Sequence, residues 1–189
     1  MSELPKSAKI VIAGGGVMGG STAYHLAKQG CADVVLLEKQ DLWGMGTTGK
    51  CAGGFRYQFS TEINVRLSLL SLPMLDRFED ELGQAIDLRK DGYLFLLTNE
   101  ADVHAFGENV AMQRRLGVKT EWLDGDEVRH RLPQLAADDV IAATFNADDG
   151  RADPNGVVMG YVNGAKRLGV QTMTGIQVTG VDVENDRIT

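Results

Sequence analysis

The apolar and polar positions of the chain alternate between two periods. Ile10-Val11-Ile12-Ala13 is a short apolar run bounded by a lysine and by glycines, the pattern of a buried strand. Residues 17–29 then read as a helix closed by Gly30, and 33–37 as a second apolar strand. A long helical pattern follows from a Ser60 or Thr61 cap to Leu82, with Gly83 past its end. Ile63, Leu67, Leu70, Met74, Phe78 and Leu82 recur along it at helical spacing and predict one buried face, with Pro73 kinking or dividing the helix. Strands are expected at 92–98, 119–123, 140–145, 170–174 and 176–183, and helices at 101–116 and 124–131. A last helix begins with Asp153 as N-cap and Pro154 at its first position and ends near Leu168-Gly169. Strands alternating with helices predict an α/β fold with a parallel sheet. The chain contains no internal repeat and no low-complexity segment.

The junction between the first strand and the first helix carries the chemistry. Gly14, Gly16 and Gly19 occupy the three fixed places of a G-x-G-x-x-G turn, and Gly15 lies between the first two. In such a turn the first glycine permits the tight bend, the second lets backbone approach a pyrophosphate, and the third lets the helix pack on the strand. The helix N-terminus is expected to offer unpaired N–H groups at Val17 and Met18 together with a partial positive charge, and both favour a diphosphate. Glu38, at the carboxyl end of the second strand, is placed to accept from ribose hydroxyls. It also disfavours a 2′-phosphate, since two anions would face each other. NADP is therefore disfavoured, while NAD and FAD both remain.

Composition narrows the rest. With 43% hydrophobic and 24% charged residues, the 189-residue chain has an ordinary globular balance and is long enough for one sizeable core or two small ones. A net charge of −7 gives no basic footprint for nucleic acid or an anionic membrane. No apolar run approaches the roughly 18 residues needed to span a bilayer. The N-terminal stretch is short and polar, and Cys31 and Cys51 make neither a disulfide framework nor a metal cluster, so a cytoplasmic location is expected. His25, His104 and His130 fall far apart in predicted helices and are read as structural.

Between the second strand and the long helix lies Gly44-Met45-Gly46-Thr47-Thr48-Gly49-Lys50-Cys51-Ala52-Gly53-Gly54. A loop of this composition can press its backbone against a flat or charged ligand and offer N–H and hydroxyl donors. Trp43, Phe55, Arg56 and Tyr57 at its borders favour a ligand loop over a flexible linker.

Four separated features now agree: Gly14–Gly19 with Glu38, the Gly46-Thr47-Thr48…Ala52-Gly53-Gly54-Phe55-Arg56 loop, Asp91-Gly92-Tyr93-Leu94, and Asp149-Gly150-Arg151-Ala152-Asp153-Pro154. Across essentially its whole length the chain resembles the FAD-dependent amino-acid oxidase superfamily, in the branch of sarcosine oxidase β subunits, dimethylglycine dehydrogenase and proline dehydrogenase β subunits. The resemblance implies FAD rather than NAD. It also implies a Rossmann-like FAD-binding domain with an interrupted α+β substrate domain, incomplete at the C-terminus. The FAD domain would comprise residues 1–89 and 150–189, and 90–149 would cover the substrate.

Further expectations follow from the same likeness. Val178 matches the position whose backbone meets the adenine, and Thr47 and Thr48 sit in the flavin loop. Arg56 matches a position where some members carry a basic residue near the substrate carboxylate. A second basic position near the flavin falls on Gly53, so that contact is missing or supplied elsewhere. The implied chemistry moves a hydride equivalent from the carbon beside nitrogen of a secondary or tertiary amino acid to flavin N5, leaving an imine, with oxygen or another acceptor reoxidising the flavin. A small amino-acid substrate is the expected partner, with other subunits of a heteromeric oxidase as a further one. The competing reading is a non-catalytic nucleotide-binding half that works only with a partner chain; an NAD-dependent dehydrogenase is weaker. Asn185-Asp186 resembles a hairpin turn with Ile188-Thr189 starting a return strand, so the chain is expected to be an N-terminal portion that is inactive alone.

Overall fold

The computed structural model describes residues 4–185, 187 and 188. They form two compact units: residues 1–53, 78–86 and 153–189 make the first, and residues 54–77 and 87–152 the second. The chain therefore enters and leaves the second unit twice. Residues 54–77 group with the second unit, whereas the sequence boundaries drawn above kept them in the first.

The first unit is built on a three-stranded parallel sheet in the order β1 (Ile10–Ala13), β2 (Val34–Leu37), β8 (Gln171–Met173). Every residue of the central strand β2 is buried, as expected of a strand covered on both faces. Helix α1 (Val17–Lys28) makes the crossover from β1 to β2. It packs against α6 (Pro154–Arg167), the helix that precedes β8; a Cβ on Gly20 of α1 would meet Val162 and Tyr161 of α6 at 3.4 Å. Asp153 caps α6, its carboxylate accepting from the N–H groups of Asn155 and Gly156, and Pro154 takes the first helical position. The short helix α3 (Phe78–Leu82) completes this core, the Phe78 ring meeting that of Tyr161 edge-on at 5.0 Å.

One expectation fails in this unit. Residues 176–183 are not one strand. Gly175 turns the chain with φ +72°, and the N–H groups of Gly175 and Ile176 donate to the carbonyls of Gln40 and Glu38, so this backbone pairs with the loop after β2. Only β9 (Val183–Glu184) is a strand, paired antiparallel with β10 (Arg187–Ile188). The expected hairpin is thus present, with Asn185 at φ +51°; Asp186 and Thr189 lie outside the described residues.

The second unit contains an antiparallel sheet ordered β4 (Tyr93–Leu97), β6 (Ala142–Asn146), β5 (Glu121–Asp124), with a two-stranded ribbon of β3 (Gly54–Phe55) and β7 (Gly150–Arg151). Helices α2 (Glu62–Asp76), α4 (Glu100–Arg115) and α5 (Gly125–Arg131) accompany it. Asp124 and Glu127 close a reciprocal capping box at the start of α5.

The predicted buried face of the long helix is overturned here. Ile63, Leu67, Leu70 and Met74 are exposed, and the fully buried residues of α2 are Val65 and Ser68. The helix breaks at Arg77, so Phe78 and Leu82 lie in α3 and do not continue the stripe that begins at Ile63. Pro73 remains inside α2.

Candidate functional site

In the first unit the carboxyl ends of β1 and β2 open into a cleft of about 560 Å³. Gly14 bends the chain out of β1 at φ +112°, a region closed to most side chains, and its N–H donates to the Leu37 carbonyl at 2.7 Å. Gly19 is held against that bend: a Cβ there would stand 1.9 Å from the Gly14 carbonyl oxygen and 3.2 Å from Leu36. Gly16 is different. A Cβ on it would meet only the Thr48 hydroxyl, at 3.1 Å, and would otherwise project into open cleft. Gly19 thus serves the fold, and Gly16 keeps space for something outside it.

Glu38 is 8% exposed and held by backbone: Oε2 accepts from Gly15 N–H at 2.7 Å and Oε1 from Gln40 N–H at 2.9 Å. Each oxygen keeps a second lone pair for a hydroxyl donor. Gly15 does not line the cleft; a Cβ on it would fall 2.3 Å from the Trp43 ring, so it acts by presenting its N–H to Glu38. The N-terminus of α1 has no side-chain cap and no acidic residue in its first turn, which leaves its positive end to an anion. One detail corrects the expectation: Val17 N–H is not unpaired but donates to Thr48 Oγ1 at 3.1 Å. The Thr48 hydroxyl is thereby oriented and can pass on its own hydrogen toward the cleft.

Met18, Thr47 and Val178 also line this space, with Lys39, Gln40, Ile176 and Gln177, which the sequence did not single out. Gly53 lines neither this cleft nor the cavity described next. The donor set suits a dinucleotide: a helix N-terminus and a threonine hydroxyl for a diphosphate, and a carboxylate for a ribose.

Arg56 belongs to the second unit, where it borders a cavity of about 230 Å³ with Gln58, Phe95, Phe106 and Thr144. Its guanidinium carbon lies 4.8 Å from the Phe59 ring centroid and 5.3 Å from that of Phe95. Asp149, 0% exposed, accepts from Tyr57 N–H at 2.7 Å and from Gln58 Nε2 at 2.9 Å. Burial pushes the Asp149 carboxyl above its usual range, against the opposing pull of those two hydrogen bonds and of the Arg56 charge. Gln58 and Thr144 carry no sign in the sequence. Asp149 was visible only as the first residue of the Asp149–Pro154 motif, with no role attached.

Dimethylglycine dehydrogenase of Rattus norvegicus is 34% identical over 169 residues, 89% of this chain and 20% of that protein. Sarcosine dehydrogenase of Mus musculus is 29% identical over 184 residues, 97% of this chain and 20% of that protein. Among solved structures, L-proline dehydrogenase from P. horikoshii superimposes with a TM-score of 0.87 at 35% identity, covering 98% of this chain and 48% of that one. The chain thus spans about a fifth of those curated relatives and about half of that solved structure. The sequence profile of the family described as FAD dependent oxidoreductase matches residues 9–189, and with it FAD prevails over NAD. The chain belongs to the FAD-dependent oxidoreductase (DAO) family.

Proposed function

We propose that this chain serves a flavoenzyme that oxidises the C–N bond of a small secondary or tertiary amino acid, of the sarcosine, dimethylglycine or proline type. The observation that carries the reading is the cleft, with Gly16 opening it and Glu38 and Thr48 oriented toward it, in a chain whose relatives bear the names of those three substrates. Thr48, the α1 N-terminus and Glu38 would hold the pyrophosphate and ribose of FAD, and Val178 backbone its adenine. FAD supplies the two-electron acceptor for the oxidation. Arg56 would hold the substrate carboxylate, a task that suits a guanidinium packed against aromatic rings. A cytoplasmic setting is supported by two cysteines that are both free.

The test is anaerobic bleaching of the flavin in the full-length holoprotein with sarcosine, dimethylglycine and proline. One of them should reduce it within the time of a turnover, and reduction by none would overturn the reading. Arg56→Lys should raise KM for carboxylate substrates far more than for neutral amines; an equal effect on both would remove Arg56 from that role.

A further inference from the structure

Three residues that border the cavity of the second unit carry buried polar atoms that the protein itself leaves unanswered. Gln58 is 6% exposed, and its Nε2 donates to the Tyr93 carbonyl and to Asp149 Oδ2, each at 2.9 Å. Both amide hydrogens are thus used, and turning the amide over would set its oxygen against two acceptors. The orientation is fixed, and Gln58 Oε1 is left buried without a partner. Thr144 is 1% exposed and its Oγ1 is likewise buried and unpartnered, as is Arg56 Nε. All three residues border the same cavity. Each unpaired buried polar atom costs roughly 1–3 kcal/mol, so three around one small space call for an occupant.

The occupant can be read from its complement. Gln58 Oε1 accepts, and therefore wants an N–H. Arg56 Nε donates and carries charge, and therefore wants an anionic oxygen. Thr144 can serve either, and the rings of Phe95 and Phe106 offer apolar walls to a short carbon skeleton. A volume near 230 Å³ limits the guest to a small molecule.

We propose that Gln58 Oε1 receives the N–H of a small amino acid whose carboxylate lies on Arg56, with Thr144 completing the cage, so that Gln58 selects ligands by the presence of an N–H. This rests on the amino-acid oxidation proposed above and adds to it the residue that reads the amine. Asp149 enters as a positioning residue, since it and the Tyr93 carbonyl set the direction of the Gln58 amide.

The experiment is calorimetric titration of the full-length, FAD-loaded protein under anaerobic conditions with sarcosine, N,N-dimethylglycine and N,N,N-trimethylglycine. The first two carry an N–H in their ammonium form and the third has none. Sarcosine should bind about tenfold or more tightly than trimethylglycine, and Gln58→Met should collapse that ratio. An unchanged ratio in Gln58→Met would overturn the proposal. Because Gln58 also ties its loop to Tyr93 and Asp149, Thr144→Val gives a second arm that leaves those bonds intact. It should weaken sarcosine by about threefold or more while the unliganded protein keeps its Tm. Unchanged sarcosine affinity in Thr144→Val would mean that the cavity holds ordered water only, and would overturn the proposal. Flavin bleaching by sarcosine with a ratio insensitive to Gln58 would sink this inference and leave the proposed reaction standing. A Gln58-dependent ratio with no bleaching by any amino acid would support this site and sink the reaction.

Discussion

Gly16 and Gly19, three residues apart in the chain, do different work, and the difference is measurable. Gly19→Ala drives a methyl group into the Gly14 carbonyl, so it should destabilise the fold by about 1–3 kcal/mol, seen as a lower urea midpoint with or without FAD. Gly16→Val should leave the midpoint of the FAD-free protein near that of the parent and lower flavin content on purification, because its side chain enters the cleft. Equal flavin content would place the pyrophosphate elsewhere. Asp149 gives a prediction in pH. Its folded pKa is raised above the ordinary 3.8, so the native state binds more protons than the unfolded chain across that interval. Its contribution to stability is therefore full below 3.8 and is lost as pH rises through the folded value. The stability difference between the parent and Asp149→Asn should shift in that direction between acid and neutral pH and level off below 3.8; a difference independent of pH would remove the effect. At this scale the glycine fingerprint and Glu38 were legible because each answers a backbone requirement that few residues meet. Gln58 and Thr144 were not, because their meaning comes from partners brought together by folding: Tyr93 and Asp149 for the first, an unfilled cavity for the second.

Among the elements, β1, α1, β2 and α6 could be read nearly to the residue, since caps, glycines and short apolar runs punctuate them clearly. Helix α2 misled. It carries two stripes at helical spacing, one through Ile63, Leu67, Leu70 and Met74 and the other through Val65, Ser68, Leu69 and Leu72, and the first is the more apolar. The structure turns the second inward, burying Val65 and Ser68 and half-burying Leu69 and Leu72, and Ser68 interrupts its hydrophobic signal. Val65→Ala should therefore cost about 1.5–3 kcal/mol, from two methylene equivalents and the space they leave, while Leu70→Gln should change stability by no more than about 0.5 kcal/mol. Denaturant titration of this chain with each change decides between the faces, and a larger loss at Leu70 would restore the original reading. The expected strand after β8 failed for a related reason: its β-branched residues promised pairing, but Gly175 sends the backbone to the carbonyls of Glu38 and Gln40 instead.

For the molecule as a whole, the alternation of strands and helices sufficed for the α/β class and for the parallel pairing of β1 with β2. Which segments share a unit was not legible, because that depends on long-range pairs such as β3 with β7 that no local pattern announces. Adding FAD to the full-length apoprotein should slow amide exchange at residues 14–19, 38–40 and 176–178, the backbone around the cleft. Unaltered exchange at these three segments together would separate the cleft from the cofactor.

The nested path of the chain has one more consequence. Strand β2 obtains its outer parallel neighbour only when Val35 meets Gln171, and α1 obtains its partner only with α6. On the ribosome, both segments of the second unit described above have emerged by Ala152, while the first still lacks α6 and β8. The unit that carries the cleft is thus begun before the second unit and receives α6 and β8 only after it. Its buried strand β2 waits, apolar and half paired, through the synthesis of everything between, which makes that interval the time at which nascent chains are most open to aggregation and to chaperones.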